Sequence, residues 1–123
     1  MTSTTSVVSA DQVFGIVDAA DPEAFARLFT PDGRLTFGNG PAMVGHEAII
    51  GGCTYFYTTI TGLTHQILHE WNVGDDHVVE LVVTYTRLDG GTVDVPCVSI
   101  WATDAQGLIT DYRVFFDLAP VYA

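Results

Sequence analysis

The sequence predicts an α+β domain in which helices cover one face of a single curved, mostly antiparallel sheet. Apolar residues recur at helical spacing through most of the first half of the chain, whereas from Leu63 onward they alternate with polar residues at strand spacing. The segments between the predicted strands are short and rich in Asp and Gly, as in β-hairpins. Helices followed by a meander of long strands indicate one sheet packed against helices.

Two short helices are expected at the start of this domain. Ser9, with Gln12 three residues later, resembles a capping box, and apolar residues then recur on one helical face. Asp21 and Pro22 have the residue types typical of an N-cap and of the first helical position, so a second helix is predicted to begin there. We expect this helix to continue until the turn residues TPDG at 30–33.

One strand and a weaker helix complete the first half of the chain. Residues 34–39 predict a short strand, which the turn residues GNGP then end. A further helix is predicted from Gly45 to about Thr61. Gly51 and Gly52 lower its intrinsic stability, because glycine is a poor helix former.

The second half is predicted to form four consecutive antiparallel strands. Their connections, such as Asp89-Gly90-Gly91, have the residue types that tight hairpins require. On the third of these strands, Pro96 leaves open which set of alternating residues faces inward. The predicted strands span residues 63–73, 77–88, 92–103 and 108–117.

The last predicted strand is apolar on both faces. Tyr112, Val114 and Phe116 alternate onto one face, while Phe115 lies on the other face. A strand of this kind must be covered on both sides, by core, by a partner subunit or by a ligand.

The charge of the chain excludes several classes of partner. Among 123 residues, four are Lys or Arg and 15 are Asp or Glu, which gives a formal net charge of −11. No nucleic-acid partner is expected, because binding to phosphates needs many cationic contacts. No apolar run reaches the roughly 20 residues of a membrane span, so no membrane partner is expected either. We expect a ligand that is neutral or is held by burial rather than by charge.

The termini and cysteines predict a single cytoplasmic domain. The opening stretch MTSTTSVVS is short, uncharged and rich in Ser and Thr, so residues 1–8 are expected to be a disordered tail rather than a secretory leader, with one domain over 9–123. Cys53 and Cys97 lie in apolar runs far apart in the chain, which favours two buried thiols over a disulfide.

Particular phrases of the sequence resemble a known superfamily. These are DAADPEAFARLFTPDG, GHEAI, DGGTVDVP and the ending GLITDYRVFFDLAP, in the order helix, helix, strand, helix and four strands. Over residues 10 to 122 the chain is similar to the nuclear transport factor 2-like superfamily, in its small bacterial SnoaL-like branch. The superfamily includes ketosteroid isomerases, limonene epoxide hydrolases, polyketide cyclases, scytalone dehydratase and proteins without a known reaction, so the resemblance specifies fold more closely than activity.

The resemblance implies a cone-shaped sheet wrapped around the N-terminal helices, the NTF2-like or cystatin-like α+β barrel, with an apolar pocket inside. The outer sheet face, which includes Phe115, would then form a homodimer, and a small hydrophobic molecule would occupy the pocket. The residues expected to contact that molecule are Phe14, Val17, Leu35, Phe37, Asn39, Phe56, Ile60, Leu81, Val83, Ser99, Trp101, Tyr112, Val114 and Phe116.

Two of the superfamily's catalytic designs are missing at the matching positions. Where limonene epoxide hydrolases use Arg and Asp residues, this chain has Leu81, Val83 and Val114. Where ketosteroid isomerases carry an Asp base and a protonated Asp donor, it has Phe37 and Ser99. Activation of water and an isomerase of that design are therefore not expected.

A third design is partly present. Scytalone dehydratase has an Asp near the end of its first helix and a His at the start of the meander, and Asp18 and His65 match these positions. The Tyr on the first strand of that enzyme is replaced here by Phe37. The resemblance thus makes His65 the candidate acid-base group, Asp18 its orienting partner, and Tyr85 with Tyr112 hydrogen-bond donors to the substrate.

The residues around His65 support its role independently. Imidazole exchanges protons near neutral pH, and a nearby carboxylate fixes its tautomer. The alternative is that His65 is an ordinary core residue bonded to a backbone carbonyl, with Asp18 in solvent at a helix end. In LTHQILHEWNV, alternation places on one, core-facing side the residues His65, Ile67, His69 and Trp71.

No metal site or cofactor is expected. His65 and His69 share a predicted face but lie roughly 13 Å apart along an extended strand, too far for one zinc ion to bridge. His46, at a helix start, and His77, in a turn region, are expected to be solvated.

Three functions remain open from the sequence. The first is a cofactor-independent enzyme that cyclises, isomerises or dehydrates a hydrophobic, oxygenated substrate such as a polyketide or terpenoid. The second is a binding protein that returns its ligand unchanged. The third is a structural dimerisation module, for which we expect a cavity well under about 300 Å³.

Overall fold

The helices and strands of the computed structural model, which describes residues 9–123, follow the predicted order with two additions. The helices are α1 (Ala10–Asp18), α2 (Pro22–Ala26), α3 (His46–Tyr57) and α4 (Ala119–Tyr122). The strands are β1 (Phe29–Phe37), β2 (Met43–Val44), β3 (Gly62–Val73), β4 (Asp76–Thr86), β5 (Thr92–Thr103) and β6 (Ile109–Phe116). The short elements β2 and α4 were not predicted, and the expected tail at 1–8 lies outside the described residues.

The six strands form one curved, open sheet in the order β2-β1-β6-β5-β4-β3. The β1–β6 pair is parallel and the other pairs are antiparallel. Helix α1 packs on β3, while α3 packs on β1 and α2. The α+β prediction is confirmed, and the hydrophobic core lies between these helices and the inner sheet face.

Side-chain hydrogen bonds begin both N-terminal helices where the sequence predicts. The Ser9 hydroxyl accepts from the Gln12 N–H at 3.2 Å, and the Asp21 carboxylate accepts from the Ala24 N–H at 3.1 Å. These bonds satisfy N–H groups that have no partner inside a helix. The two caps direct α1 and then α2 across the sheet.

The second helix and the first strand differ from the prediction. Helix α2 ends at Ala26, and the residues TPDG belong to β1 instead of a turn. The register between β1 and β6 shifts between Phe29 and Arg34, so this irregular stretch accommodates Pro31, which has no N–H to donate. Gly33 is needed there, because a Cβ on it would lie 2.9 Å from the Ile109 carbonyl oxygen.

A β-bulge in β3 overturns the predicted facing of its second half. Ile67 pairs with Leu81, and His69 pairs with the adjacent Glu80, so Leu68 is an extra residue. One extra residue reverses the facing of every later side chain. His69 and Trp71 therefore lie on the outer face of the sheet, whereas His65 and Ile67 lie on the inner face.

His77 is buried, contrary to the expectation that it is solvated. It occupies an inward position at the start of β4, with 7% of its surface exposed, and its ring stacks on Trp101 at 5.4 Å between centroids. Its Nδ1 atom lies 2.8 Å from the Asn72 side-chain oxygen. Strand β4 thus begins one residue earlier than predicted, and packing against Trp101 removes the imidazole from water.

The state of the two cysteines agrees with the sequence analysis. Cys53 and Cys97 are both buried free thiols, as predicted. Among residues 9–123, no helix has both the length and the apolar character needed to cross a membrane.

Candidate active site

The candidate site is a small cavity between the inner sheet face and the helices. Its enclosed volume is about 50 Å³, and the unfilled space reaches about 530 Å³ when the open mouth is included. The inward residues of β5 include Ser99, so the sequence ambiguity on that strand is resolved. The expected residues that line the cavity are Val17, Phe37, Phe56, His65, Val83, Tyr85, Ser99, Tyr112, Val114 and Phe116.

Other expected ligand contacts lie away from the cavity wall. Leu35, Leu81 and Ile60 are buried within the core, where neighbouring side chains already cover them. Asn39 is exposed in a turn, because β1 ends at Phe37. Two aromatic residues are separated from the cavity by other rings: Phe14 lies behind His65, and Trp101 lies between Tyr112 and His77.

Several residues that line the cavity were not predicted, although some of them lie on the same helix or strand face as predicted residues. Cys53 and Tyr57 share with Phe56 one face of α3, at helical spacing, and Cys97 alternates with Ser99 on β5. The missed lining residues are Phe25, Cys53, Tyr57, Leu63 and Cys97.

Asp18 and His65 form a bidentate contact at the cavity wall. The Asp18 Oδ1 atom lies 2.5 Å from His65 Nδ1, and Oδ2 accepts the His65 backbone N–H at 3.2 Å. Two bonds to one residue fix the orientation of the imidazole. The ring also stacks on Phe14, with centroids 4.6 Å apart and planes at 16°.

This contact determines which ring nitrogen of His65 carries the proton. Because the carboxylate can only accept, the proton of neutral His65 is held on Nδ1. Within the described part of the chain Nε2 has no hydrogen-bond partner, and His65 itself lines the cavity. Nε2 is therefore left unprotonated and without a partner on a residue that lines the cavity.

Burial sets the charge of this imidazole. Only 8% of the His65 side chain is exposed, and this desolvation lowers its pKa below the ordinary value of 6.5. The hydrogen bond and the charge of Asp18 act in the opposite direction without cancelling the effect of burial. His65 is consequently neutral at pH 7 and can accept a proton.

The remaining polar groups of the cavity stay protonated at neutral pH. Burial raises the pKa of the Tyr85 and Tyr112 phenols, and a hydrogen bond from Ser99 only partly offsets the effect on Tyr112. Burial also raises the pKa of Cys53 to about 12 and of Cys97 to about 11. The phenols can therefore donate hydrogen bonds, while the thiols are poor nucleophiles.

Three half-buried phenylalanine rings that line the cavity, Phe37, Phe56 and Phe116, are here named the aromatic rim. The Phe37 centroid lies 5.6 Å from that of Phe56 and 6.1 Å from that of Phe116, so the rings touch one another. With about 50 Å³ available, a ligand larger than a few water molecules requires side chains of the cavity wall to move.

Ionisable side chains elsewhere do not assemble into a metal site. Across residues 9–123, no group of three or more His, Cys, Asp or Glu side chains is arranged to hold a metal ion. The bulge that separates His65 from His69 places them on opposite sheet faces.

Comparison with known proteins agrees with this architecture. The model of the SnoaL-like domain family matches residues 10–112. A search among curated proteins found no significant match.

Solved structures similar to this chain share its fold at low identity. A hypothetical protein from Catenulispora acidiphila, with a ketosteroid isomerase-like fold and in complex with trimethylamine, is 23% identical with a TM-score of 0.82, covering 97% of this chain and 91% of its own. A protein from Jannaschia sp., assigned as a SnoaL-like polyketide cyclase, is 22% identical with a TM-score of 0.72, covering 98% and 94%. SalBIII, an epoxide hydrolase/cyclase-like enzyme of pyran ring formation in salinomycin, is 19% identical with a TM-score of 0.76, covering 87% and 86%.

Proposed function

The chain belongs to the SnoaL-like domain family, and from that premise we propose that it is a cofactor-independent acid-base enzyme acting on a neutral, hydrophobic, oxygenated small molecule. The observation that carries this proposal is the Asp18–His65 pair, which presents an unpartnered Nε2 to a largely apolar cavity. The reaction class is cyclisation, isomerisation or dehydration, and the substrate class is polyketide or terpenoid.

In this mechanism His65 carries the proton. Its Nε2 removes a proton from a carbon or oxygen of the substrate, and Asp18 stabilises the imidazolium that forms. Tyr85 and Tyr112 donate hydrogen bonds to the substrate oxygen on which negative charge develops. The Nε2 proton then returns to another carbon in an isomerisation, to the departing hydroxyl in a dehydration, or to the new alkoxide in a cyclisation.

The character of the wall supports a neutral substrate. No Lys or Arg side chain lines the cavity within the described residues, and the chain has a net charge of −11, so an anionic substrate would be repelled. Aromatic rings and thiols make up most of the wall, which favours an apolar body with few oxygens.

The enclosed volume favours the structural-module alternative when it is considered alone. About 50 Å³ is far below the roughly 300 Å³ of a typical ligand site. The enzyme proposal therefore requires the aromatic rim to open. A histidine oriented by two bonds, with its second nitrogen unpartnered, is not needed by a module whose cavity is filled by its own side chains.

A carrier is the second candidate function, because positions that are ionisable in related enzymes are apolar here. Val83, Val114 and Phe37 line the cavity where some of those catalytic groups would lie. Such a wall retains a hydrophobic ligand without transforming it. The carrier and the enzyme differ in whether the bound molecule leaves unchanged.

One experiment separates the three functions. A panel of uncharged aromatic polyketides and terpenoid ketones and alcohols is incubated with the protein, with binding followed by thermal shift and recovered molecules identified by mass spectrometry. For the enzyme, we expect a product that His65→Gln fails to form and that the control His69→Gln still forms. Binding with unchanged recovery indicates a carrier. No binding, even after Phe56→Ala widens the rim, indicates a structural module.

Homodimerisation through the outer sheet face is part of the same proposal. The strand register places Trp71, Val78 and Ile100 in one row, and Val98 beside Phe115 in the next. Trp71 is 50% exposed and Phe115 is 47% exposed, which makes this apolar face a candidate interface for a second copy. Sedimentation should show a dimer that Phe115→Asp converts to monomer, whereas a monomeric wild-type protein would contradict the proposal.

A cytoplasmic location completes the proposal. It is supported by the two cysteines, which are both free and buried, as expected in a reducing compartment.

A further inference from the structure

The backbone that carries Asp18 ends in an unfavourable conformation. Asp18 is the last residue of α1, and Ala20 follows two residues later with a φ of 54°. A residue with a Cβ adopts this left-handed region at a cost that glycine avoids. The turn after Asp18 must therefore be held by contacts with the rest of the protein.

One such contact comes from helix α3. The Tyr57 hydroxyl donates to the Val17 carbonyl oxygen at 2.9 Å, across 40 positions of sequence. The same oxygen accepts the Ala20 N–H at 3.0 Å, so the tyrosine binds directly to the strained turn. Carbonyls in the last turn of a helix lack partners within the helix, which makes this oxygen available.

We propose that Tyr57 is a positioning residue, which holds the last turn of α1 so that the Asp18 carboxylate stays on His65 Nδ1. Tyr57 hydrogen-bonds to neither Asp18 nor His65 and acts through the Val17 carbonyl. The catalytic meaning of this role rests on the proposed function, while the structural role rests on the contacts alone.

The surroundings of Tyr57 favour a permanent hydrogen bond. The pKa of the Tyr57 phenol is raised, mainly by burial and also by nearby charges that include Asp18. The hydroxyl therefore keeps its proton throughout the neutral range. The ring also lines the cavity and contacts Phe56, with centroids 6.1 Å apart. Phenylalanine at this position would keep the ring contacts and remove only the donor.

The test is the Tyr57→Phe variant, studied by NMR of the His65 ring. In the wild type we expect the tautomer with the proton on Nδ1 and slow exchange of that proton with solvent. In Tyr57→Phe the exchange should become about tenfold faster, as expected when one hydrogen bond that secures the turn is lost. On any substrate found with the ligand panel, kcat should fall while KM changes little.

Two tyrosines serve as matched controls. Tyr85→Phe removes a phenolic oxygen from the same cavity, but the Tyr85 hydroxyl has no hydrogen-bond partner among the described residues, so the His65 proton should exchange as in the wild type. Tyr55→Phe changes a residue of the same helix that is 72% exposed, and it should alter neither readout. The ring signals of His46, which bonds the Phe29 carbonyl at 2.9 Å, report in the same spectra that each variant is folded.

The outcomes distinguish this role from the proposed function. If the Nδ1 proton is protected equally in the wild type and in Tyr57→Phe, the positioning role is wrong and the Asp18–His65 mechanism stands. If the wild type shows no protected Nδ1 proton, both fail together. If Tyr85→Phe accelerates exchange as much as Tyr57→Phe, the effect belongs to the cavity and the positioning role is overturned.

Discussion

Two pairs of histidine and carboxylate lie on or beside β3, and they differ in almost every physical respect. His65 and Asp18 are 2.5 Å apart, with 8% and 29% of their side chains exposed. His69 lies four positions after His65 on β3, and its partner Glu80 is on β4. The two are 3.9 Å apart, with 65% and 46% of their side chains exposed. His65 of the first pair lines the inner cavity, whereas the second pair lies on the outer face and is exposed in the single chain.

The sheet face on which a histidine lies decides how strongly its imidazole interacts with a neighbouring carboxylate. An exposed ion pair contributes little, because water screens it and both side chains lose freedom. The inner pair is shielded from water, so its hydrogen bond is strong and its geometry is fixed. A single extra residue at Leu68 separates the two environments, since it reverses the facing of the strand.

Loss of the inner imidazole should have the strongest effect on catalysis. His65→Gln should reduce kcat by about 100-fold or more on a substrate from the panel, the usual contribution of a general acid-base group. His69→Gln is the matched change on the outer face and should leave turnover unaltered. Steady-state kinetics on the two folded variants provides the measurement. Equal losses in both variants, or no loss in either, would contradict the assignment.

The next effect concerns stability. Asp18→Ala should lower the free energy of unfolding by about 2 kcal/mol, because it removes two bonds to a carboxylate and leaves a buried ring nitrogen unpaired. Glu80→Ala should cost less than about 0.5 kcal/mol, as for other exposed pairs. Urea unfolding at pH 7 measures both values. A cost for Glu80→Ala as large as that for Asp18→Ala would show that burial is not what separates the pairs.

The sequence predicted the inner pair more successfully than it predicted the facing of His69. The resemblance pointed to Asp18 and His65, and the structure brings them into contact. Strand alternation failed beyond Ile67, because a bulge requires no particular residue and QILHE contains no Gly or Pro to mark it. Periodicity thus identifies the strand but not the point at which its two faces exchange.

Other features depend on packing that one sequence does not reveal. The residues TPDG are typical of a turn, yet pairing with β6 draws them into a strand, since tertiary contacts outweigh local preference. The cavity volume depends on how the rings of the aromatic rim rest against one another. Neither property follows from residue type and spacing alone.

The burial of His65 should also make the stability of the fold depend weakly on pH. Because burial lowers the pKa of His65 in the folded protein below its ordinary value of 6.5, the unfolded chain binds more protons than the folded one between those two values. Stability should therefore be fully present above about pH 6.5 and be lost as the pH falls toward the folded-state pKa.

Two variants isolate this contribution from that of the acidic side chains. His65→Gln should remove this part of the slope when urea unfolding is repeated from pH 8 to pH 5. Asp18→Asn should extend the slope to lower pH, because the bond and charge of Asp18 oppose the effect of burial and their loss lowers the pKa of His65 further. If His65→Gln retains the wild-type slope, the inner imidazole is not the buried neutral base that distinguishes it from its neighbour on the outer face.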